Sequence, residues 1–151
     1  SNGARFFSYK GTSLAVGVRP VKLFSTFTLG GVYKSGVFLA AGDVNADGYA
    51  DLVLGSGVNS AVNVTVYSGK PLTLKGTRTV IANFAPAGGS ITTGARVAVR
   101  DIDGDGKQDI VASSGELVSA FKGGSLTPTG LPPLLYSFDP DPLTTGAVWV
   151  G

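Results

Sequence analysis

The stretch Gly42-Asp43-Val44-Asn45-Ala46-Asp47-Gly48-Tyr49-Ala50-Asp51-Leu52-Val53-Leu54-Gly55 decides how this chain is read. Oxygen-bearing side chains stand at Asp43, Asn45, Asp47 and Asp51, and an apolar run follows at once. Carboxylates held that close repel one another and raise their own pKa values unless something neutralises them. They converge only if the backbone curls around a cation. Gly48, at the sixth position, is the residue without Cβ that such a curl needs. The seventh position contributes a backbone carbonyl, so the Tyr49 side chain is free to vary. Hard oxygen donors in a flexible loop suit Ca²⁺, whereas Mg²⁺ demands tighter octahedral geometry.

The same grammar returns at Asp101-Ile102-Asp103-Gly104-Asp105-Gly106-Lys107-Gln108-Asp109, so both loops read D-x-[DN]-x-D-G-x-x-D. The segment before each loop repeats as well: Gly36-Val37-Phe38-Leu39-Ala40-Ala41-Gly42-Asp43 aligns with Gly94-Ala95-Arg96-Val97-Ala98-Val99-Arg100-Asp101. An Asp- and Gly-rich turn can be merely solvated, because those residues favour turns. Two copies at matching phase argue against that. An EF-hand needs a Glu at position twelve, where this chain has Leu54 and Ala112. The loops therefore read as connections between strands.

Working outward, each loop is followed by an apolar run (Leu52-Val53-Leu54-Gly55-Ser56-Gly57 and Ile110-Val111-Ala112-Ser113-Ser114-Gly115). Then comes an alternating segment (residues 62–69 and 117–123) and a fourth apolar segment (79–84 and 133–138). Four short strands per unit of 50–60 residues read as β-propeller-type blades of four antiparallel strands. The ends carry the same pattern out of phase. Residues 3–11 and 21–27 match a third and a fourth strand, and residues 146–151 match a first strand. The expected organisation is a partial blade at 1–35, repeats at 36–93 and 94–145, and a next first strand at 146–151, about 2.75 blades in all.

Composition agrees. Of 151 residues, 23 are Gly and 8 are Pro, which interrupt long helices, so the chain is expected to be all-β. It has no Cys and no His, which excludes thiol nucleophiles, imidazole bases, disulfides and ordinary zinc sites. Seven of its ten acids lie in the two loops, leaving few carboxylates for catalysis, so no enzymatic activity is expected. Net charge is +2, with scattered basic residues and no block of like charge, so nucleic acid is not an expected partner. No run of 18 apolar residues spans a membrane. The absence of an initiator Met and a signal peptide marks a processed product or a piece trimmed from a longer protein.

The run from Gly42 through Gly55, with its second copy, resembles the FG-GAP repeat, the integrin-α-like and VCBS-related family, across most of the chain. That resemblance implies four-stranded propeller blades, extracellular proteins used in adhesion or large secreted arrays, and two Ca²⁺ sites between first and second strands. Carried over by position, the implied ligands are Asp43, Asn45, Asp47, Tyr49 through its carbonyl, and Asp51. The second set is Asp101, Asp103, Asp105, Lys107 through its carbonyl, and Asp109. Ser35-Gly36 and Thr93-Gly94 lack the family's aromatic before the leading Gly. Gly55-Ser56-Gly57 and Ser113-Ser114-Gly115 replace its Gly-Ala-Pro triplet. These departures bear on integrin-like ligand recognition and leave the fold and the metal reading intact.

The expected function is a non-enzymatic, extracellular, calcium-binding structural module. Its expected partners are other copies of itself, with Val148, Trp149 and Val150 adding as a strand to the partial blade at residues 4–27 in a ring or filament. The alternative is an adhesion or carbohydrate-binding propeller fragment with a cell-surface or polysaccharide ligand. Asn63-Val64-Thr65 is a glycosylation sequon lying mid-strand. Asp139-Pro140-Asp141-Pro142 reads as a rigid solvated turn.

Overall fold

A computed structural model describes residues 4–24, 27–29, 33, 35–87, 93–140, 142, 143, 148 and 150. Its two larger sheets follow the sequence repeat. The first contains β3 (Val37–Gly42), β4 (Asp51–Ser56), β5 (Val64–Tyr67) and β6 (Val80–Phe84), in that spatial order. The second contains β7 (Ala95–Arg100), β8 (Asp109–Ser114), β9 (Leu117–Phe121) and β10 (Leu134–Phe138), again in chain order. All neighbouring pairs are antiparallel. Each acidic nonapeptide joins the first strand of a sheet to the second. Gly42 pairs with Asp51 and Arg100 pairs with Asp109, so the ladder closes at the loop's ends.

The sheets pack face to face. Val53, Val64, Val66, Ala82 and Phe84 of the first share a core with Ala95, Val97, Ile110, Ala112 and Phe121 of the second. The Phe84 and Phe121 rings meet edge to face with centroids 4.8 Å apart, a geometry favoured by the aromatic quadrupole. Close approach needs a missing side chain. A Cβ on Gly55 of β4 would lie 1.8 Å from the carbonyl oxygen of Ala95 on β7.

The N-terminal strands β1 (Ala4–Phe6) and β2 (Phe27–Leu29) form a two-stranded sheet. The fourth-strand segment expected at 21–27 lies partly outside the described residues. Within it Lys22 forms a bridge to Tyr9, with Lys10 N–H donating to the Val21 carbonyl and Leu23 N–H to the Ser8 carbonyl. The register differs by two positions between the Tyr9–Lys22 bridge and the Phe6–Phe27 pair. Phe6, Leu29 and Tyr33 make a second core with Leu54.

One element was not foreseen in the sequence. The strand within the alternating segment 62–69 spans Val64–Tyr67, α1 (Gly69–Lys75) follows it, and Gly76 caps the helix in the left-handed conformation at φ 65°. Its seven residues include Pro71 near the start, where the absent N–H costs nothing, and Leu72 buried against the sheet. No helix among the described residues is long and apolar enough to cross a membrane. The strand expected at 146–151 lies mostly outside the described residues. Val148 is described and is held within the chain: its N–H donates to the Gly115 carbonyl (3.3 Å), and its carbonyl accepts from Ser113 Oγ (2.6 Å).

Candidate metal centres

Backbone amides build both loops around their own carboxylates. In the first, Asp43 accepts from the N–H groups of Asp47 (3.0 Å) and Gly48 (2.8 Å), Asn45 Oδ1 from Asp47, and Asp47 Oδ1 from Tyr49. In the second, Asp101 accepts from Gly104 (2.8 Å) and Gly106 (3.0 Å), Asp103 Oδ1 from Asp105, and Asp105 Oδ1 from Lys107. These are charge-assisted contacts that fold the loop inward and aim its oxygens at one side.

The ninth residue of each loop does more than sequence reasoning assigned. Asp51 and Asp109 are fully buried at the start of the second strand. Asp51 Oδ2 accepts from Val44 and Asn45 N–H, and its Oδ1 accepts from Gly69 N–H (2.8 Å). Asp109 accepts from Ile102 N–H through Oδ2 and from Gly123 N–H through Oδ1, also 2.8 Å. Each carboxylate thus ties its loop to the chain leaving the third strand. Gly69 and Gly123 are glycines because a Cβ there would stand 1.9 Å from the carbonyls of Ala50 and Gln108. Burial pushes the Asp51 carboxyl up to about 6, against the lowering effect of the amides of Gly69, Asn45 and Val44; the nearby Asp47 adds to the rise.

The donor set fits a hard cation in the second loop. Asp101, Asp103 and Asp109 each offer an oxygen, and those atoms lie within 4.8 Å of one another. In the first loop Asn45 does the gathering, its Nδ2 reaching Asp47 Oδ2 at 3.3 Å and Asp51 Oδ1 at 3.5 Å. Of the implied ligands, Asp105 turns instead to Lys122. Lys122 Nζ lies 2.5 Å from Asp103 Oδ2 and 2.9 Å from Asp105 Oδ2. That ammonium holds the Asp105 carboxyl below its usual range, and the two carboxylates in turn hold Lys122 protonated. Tyr49 and Lys107 enter the frame through their amide N–H groups. The Tyr49 ring faces Lys70 Nζ at 5.7 Å, and the Lys107 stem lies beside Gly124.

Two left-handed positions, the fourth and the sixth, shape each loop, and the sequence reading singled out only the sixth. Gly48 and Gly106 have φ of 85° and 82°, as the sixth-position argument requires. The fourth position is left-handed as well, with Gly104 at 77° and Ala46 at 60°. An L-residue with a Cβ pays roughly 1 kcal/mol there. Ala46→Gly is therefore expected to stabilise the calcium-free protein by about 0.5 kcal/mol, part of the relief being lost to chain entropy. Chemical denaturation in chelator measures it, and a destabilised variant would contradict the strain argument.

Residues 43–112, which span the first loop, β4 to β7 and the second loop, match the model of the FG-GAP-like repeat. That stretch is an FG-GAP-like repeat. No curated protein and no solved structure matches the chain. The match begins at Asp43 and ends inside β8, so it covers both of the loops that the sequence repeat singled out. FG-GAP-like repeats are repeat-type modules, often of extracellular proteins. In this one the sequon residue Asn63 uses its Nδ2 internally, donating to Tyr33 Oη (3.2 Å) and Thr65 Oγ1 (3.0 Å).

Proposed function

We propose that this FG-GAP-like repeat protein is a non-enzymatic, extracellular, calcium-stabilised structural module whose four-stranded sheets are propeller-type blades. The observation that carries the reading is the recurrence of one hydrogen-bond frame in two loops. In both, amides at the turn fold the first Asp inward, and a buried ninth Asp anchors the loop to the sheet. Asp43, Asn45, Asp47 and Asp51 would hold one Ca²⁺, and Asp101, Asp103, Asp105 and Asp109 the other, with the Tyr49 and Lys107 carbonyls completing the sets. The ion supplies charge neutralisation for seven carboxylates confined to two loops.

Calorimetric titration should find two sites, with affinities on the order of 10⁻⁴–10⁻³ M or tighter. At a tenfold excess of free calcium over Kd, each site should add about 1.4 kcal/mol to stability. Asp47→Ala and Asp105→Ala should each remove one site. A flat titration together with a melting temperature indifferent to EDTA would overturn the reading.

A second reading concerns partners. β1 and β2 form a two-stranded sheet among the described residues, beside a cavity of about 350 Å³ lined by Phe6, Phe7, Leu23, Phe24, Leu39 and Leu52. Unpaired strand edges recruit strands. Residues 146–151, with Val148, Trp149 and Val150, would supply one to a neighbouring copy, giving up the bonds that Val148 makes to Ser113 and Gly115 of its own chain. Size-exclusion chromatography of a chain lacking 146–151 tests this. An oligomeric state unchanged by the deletion argues against strand exchange.

A further inference from the structure

The two loops differ in one pair of positions that vary together. Where the first loop has the neutral Asn45, the second has Asp103, a fourth carboxylate. Where the chain leaving the third strand of the first sheet has Ser68, the second sheet has Lys122, since Gly69 and Gly123 make the same bond to the ninth Asp. The extra negative charge and the extra positive charge meet: Lys122 Nζ bridges Asp103 Oδ2 and Asp105 Oδ2. The other oxygen of each carboxylate already accepts a backbone amide. Two side chains needed by a cation in this loop are therefore committed at both oxygens.

We infer that Lys122 is a built-in competitor for the cation of the second loop, an ammonium that supports that loop without metal and must leave before metal enters. The inference rests on the calcium reading above and adds to it that the two sites are unequal by design of one side chain. A calcium–oxygen contact of about 2.3–2.6 Å to Asp103 Oδ2 or Asp105 Oδ2 takes the place that Lys122 Nζ now holds. An ammonium and a dication crowded onto shared oxygens repel, so binding must break both ion pairs. Lys122 sits on a flexible four-carbon stem and is one-third exposed, so it can swing into solvent. Whatever stabilises only the metal-free state weakens metal binding by the same factor.

The test is calcium calorimetry on Asp47→Ala, which leaves the second loop as the reporting site, with and without Lys122→Met. Exposed ion pairs of this kind are modest, so the second site should tighten about threefold to tenfold in Lys122→Met. Lys122→Arg, which keeps the charge, should stay near the parent value. An independent readout uses the full chain with Lys122→Met alone. It should melt lower than the parent in EDTA, and the gap should close in saturating calcium. Calcium binding with unchanged affinity, or an equal melting gap in EDTA and in calcium, overturns the role of Lys122 while leaving the metal reading intact. Absence of any calcium heat or calcium-dependent melting in either chain overturns both.

Discussion

Asp51→Ala is expected to cost about 3 kcal/mol of folding stability in chelator, although the position reads as a metal ligand. Its carboxylate is fully buried and takes three backbone amides, those of Val44, Asn45 and Gly69. Leaving a buried donor unsatisfied costs about 1–3 kcal/mol, and Ala provides no acceptor. Val44 N–H retains the Gly42 carbonyl at 3.0 Å, which limits the loss on that side. Removal of a buried carboxyl, itself unfavourable enough to push its pKa up to about 6, offsets a further part. Asp51→Asn keeps one acceptor oxygen but turns an amide toward a donor, so it should recover only part of the loss. Urea denaturation in EDTA gives the values. Asp47→Ala is the contrast: losing that half-buried side chain should remove the first calcium site with little effect on the metal-free protein. Equal costs for Asp47→Ala and Asp51→Ala would show that the ninth position has no anchoring role.

Gly55→Ala is expected to be comparably damaging, by about 3 kcal/mol, through sterics alone. A Cβ on Gly55 stands 1.8 Å from the Ala95 carbonyl oxygen and 3.2 Å from Val97 Cγ1, so β4 and β7 must move apart. Overpacking of a close-packed interior costs typically 1–3 kcal/mol, and here the obstacle is backbone, which cannot rotate away. The separation would also loosen the shared core around Val53, Val97 and the Phe84–Phe121 contact. Gly11→Ala is the control, because nothing lies within 4 Å of a Cβ at that position. Thermal melts of the two variants separate the effects. A Gly55→Ala protein as stable as the Gly11→Ala protein would mean that the sheets are not in contact at this point.

The loops also connect the sheets to each other. The Val44 side chain is fully buried and belongs to the shared core, and its carbonyl accepts from Gly124 N–H at 2.7 Å. The first acidic loop is thus clamped under the second sheet. Metal bound there would stiffen contacts between sheets as well as the loop itself, which is a physical reason for a repeat module to carry ions at these positions. A Cβ on Gly42 would meet Gln108 Oε1 at 2.1 Å and Val99 Cγ1 at 2.5 Å, so the approach to the second loop is equally tight.

What the sequence determined by itself was whatever is periodic or local. Alternating apolar residues placed β5 and β9, because strand side chains alternate with a period of two, and the repeated segments before and apolar runs after each loop placed β3, β4, β7 and β8. The Asp-x-[Asp/Asn]-x-Asp-Gly spacing placed both loops between first and second strands, because repulsion among close carboxylates leaves few other conformations. Gly48 and Gly106 were legible because a left-handed turn disfavours a Cβ. The rest depended on groups distant in the chain. Helix α1 was hidden because it is seven residues long and buries only Gly69 and Leu72, too short a stretch to show helical periodicity. The left-handed Ala46 was hidden because Ala signals no turn; only its alignment with Gly104 could have revealed it. Lys122 is nineteen residues from Asp103, and nothing local marks it as that carboxylate's partner. Asp51 and Asp109 were read as ligands, yet only the folded sheet brings them the amides of Gly69 and Gly123. Local spacing can state which atoms attract a cation, but the return of a later strand decides which of those atoms are already taken.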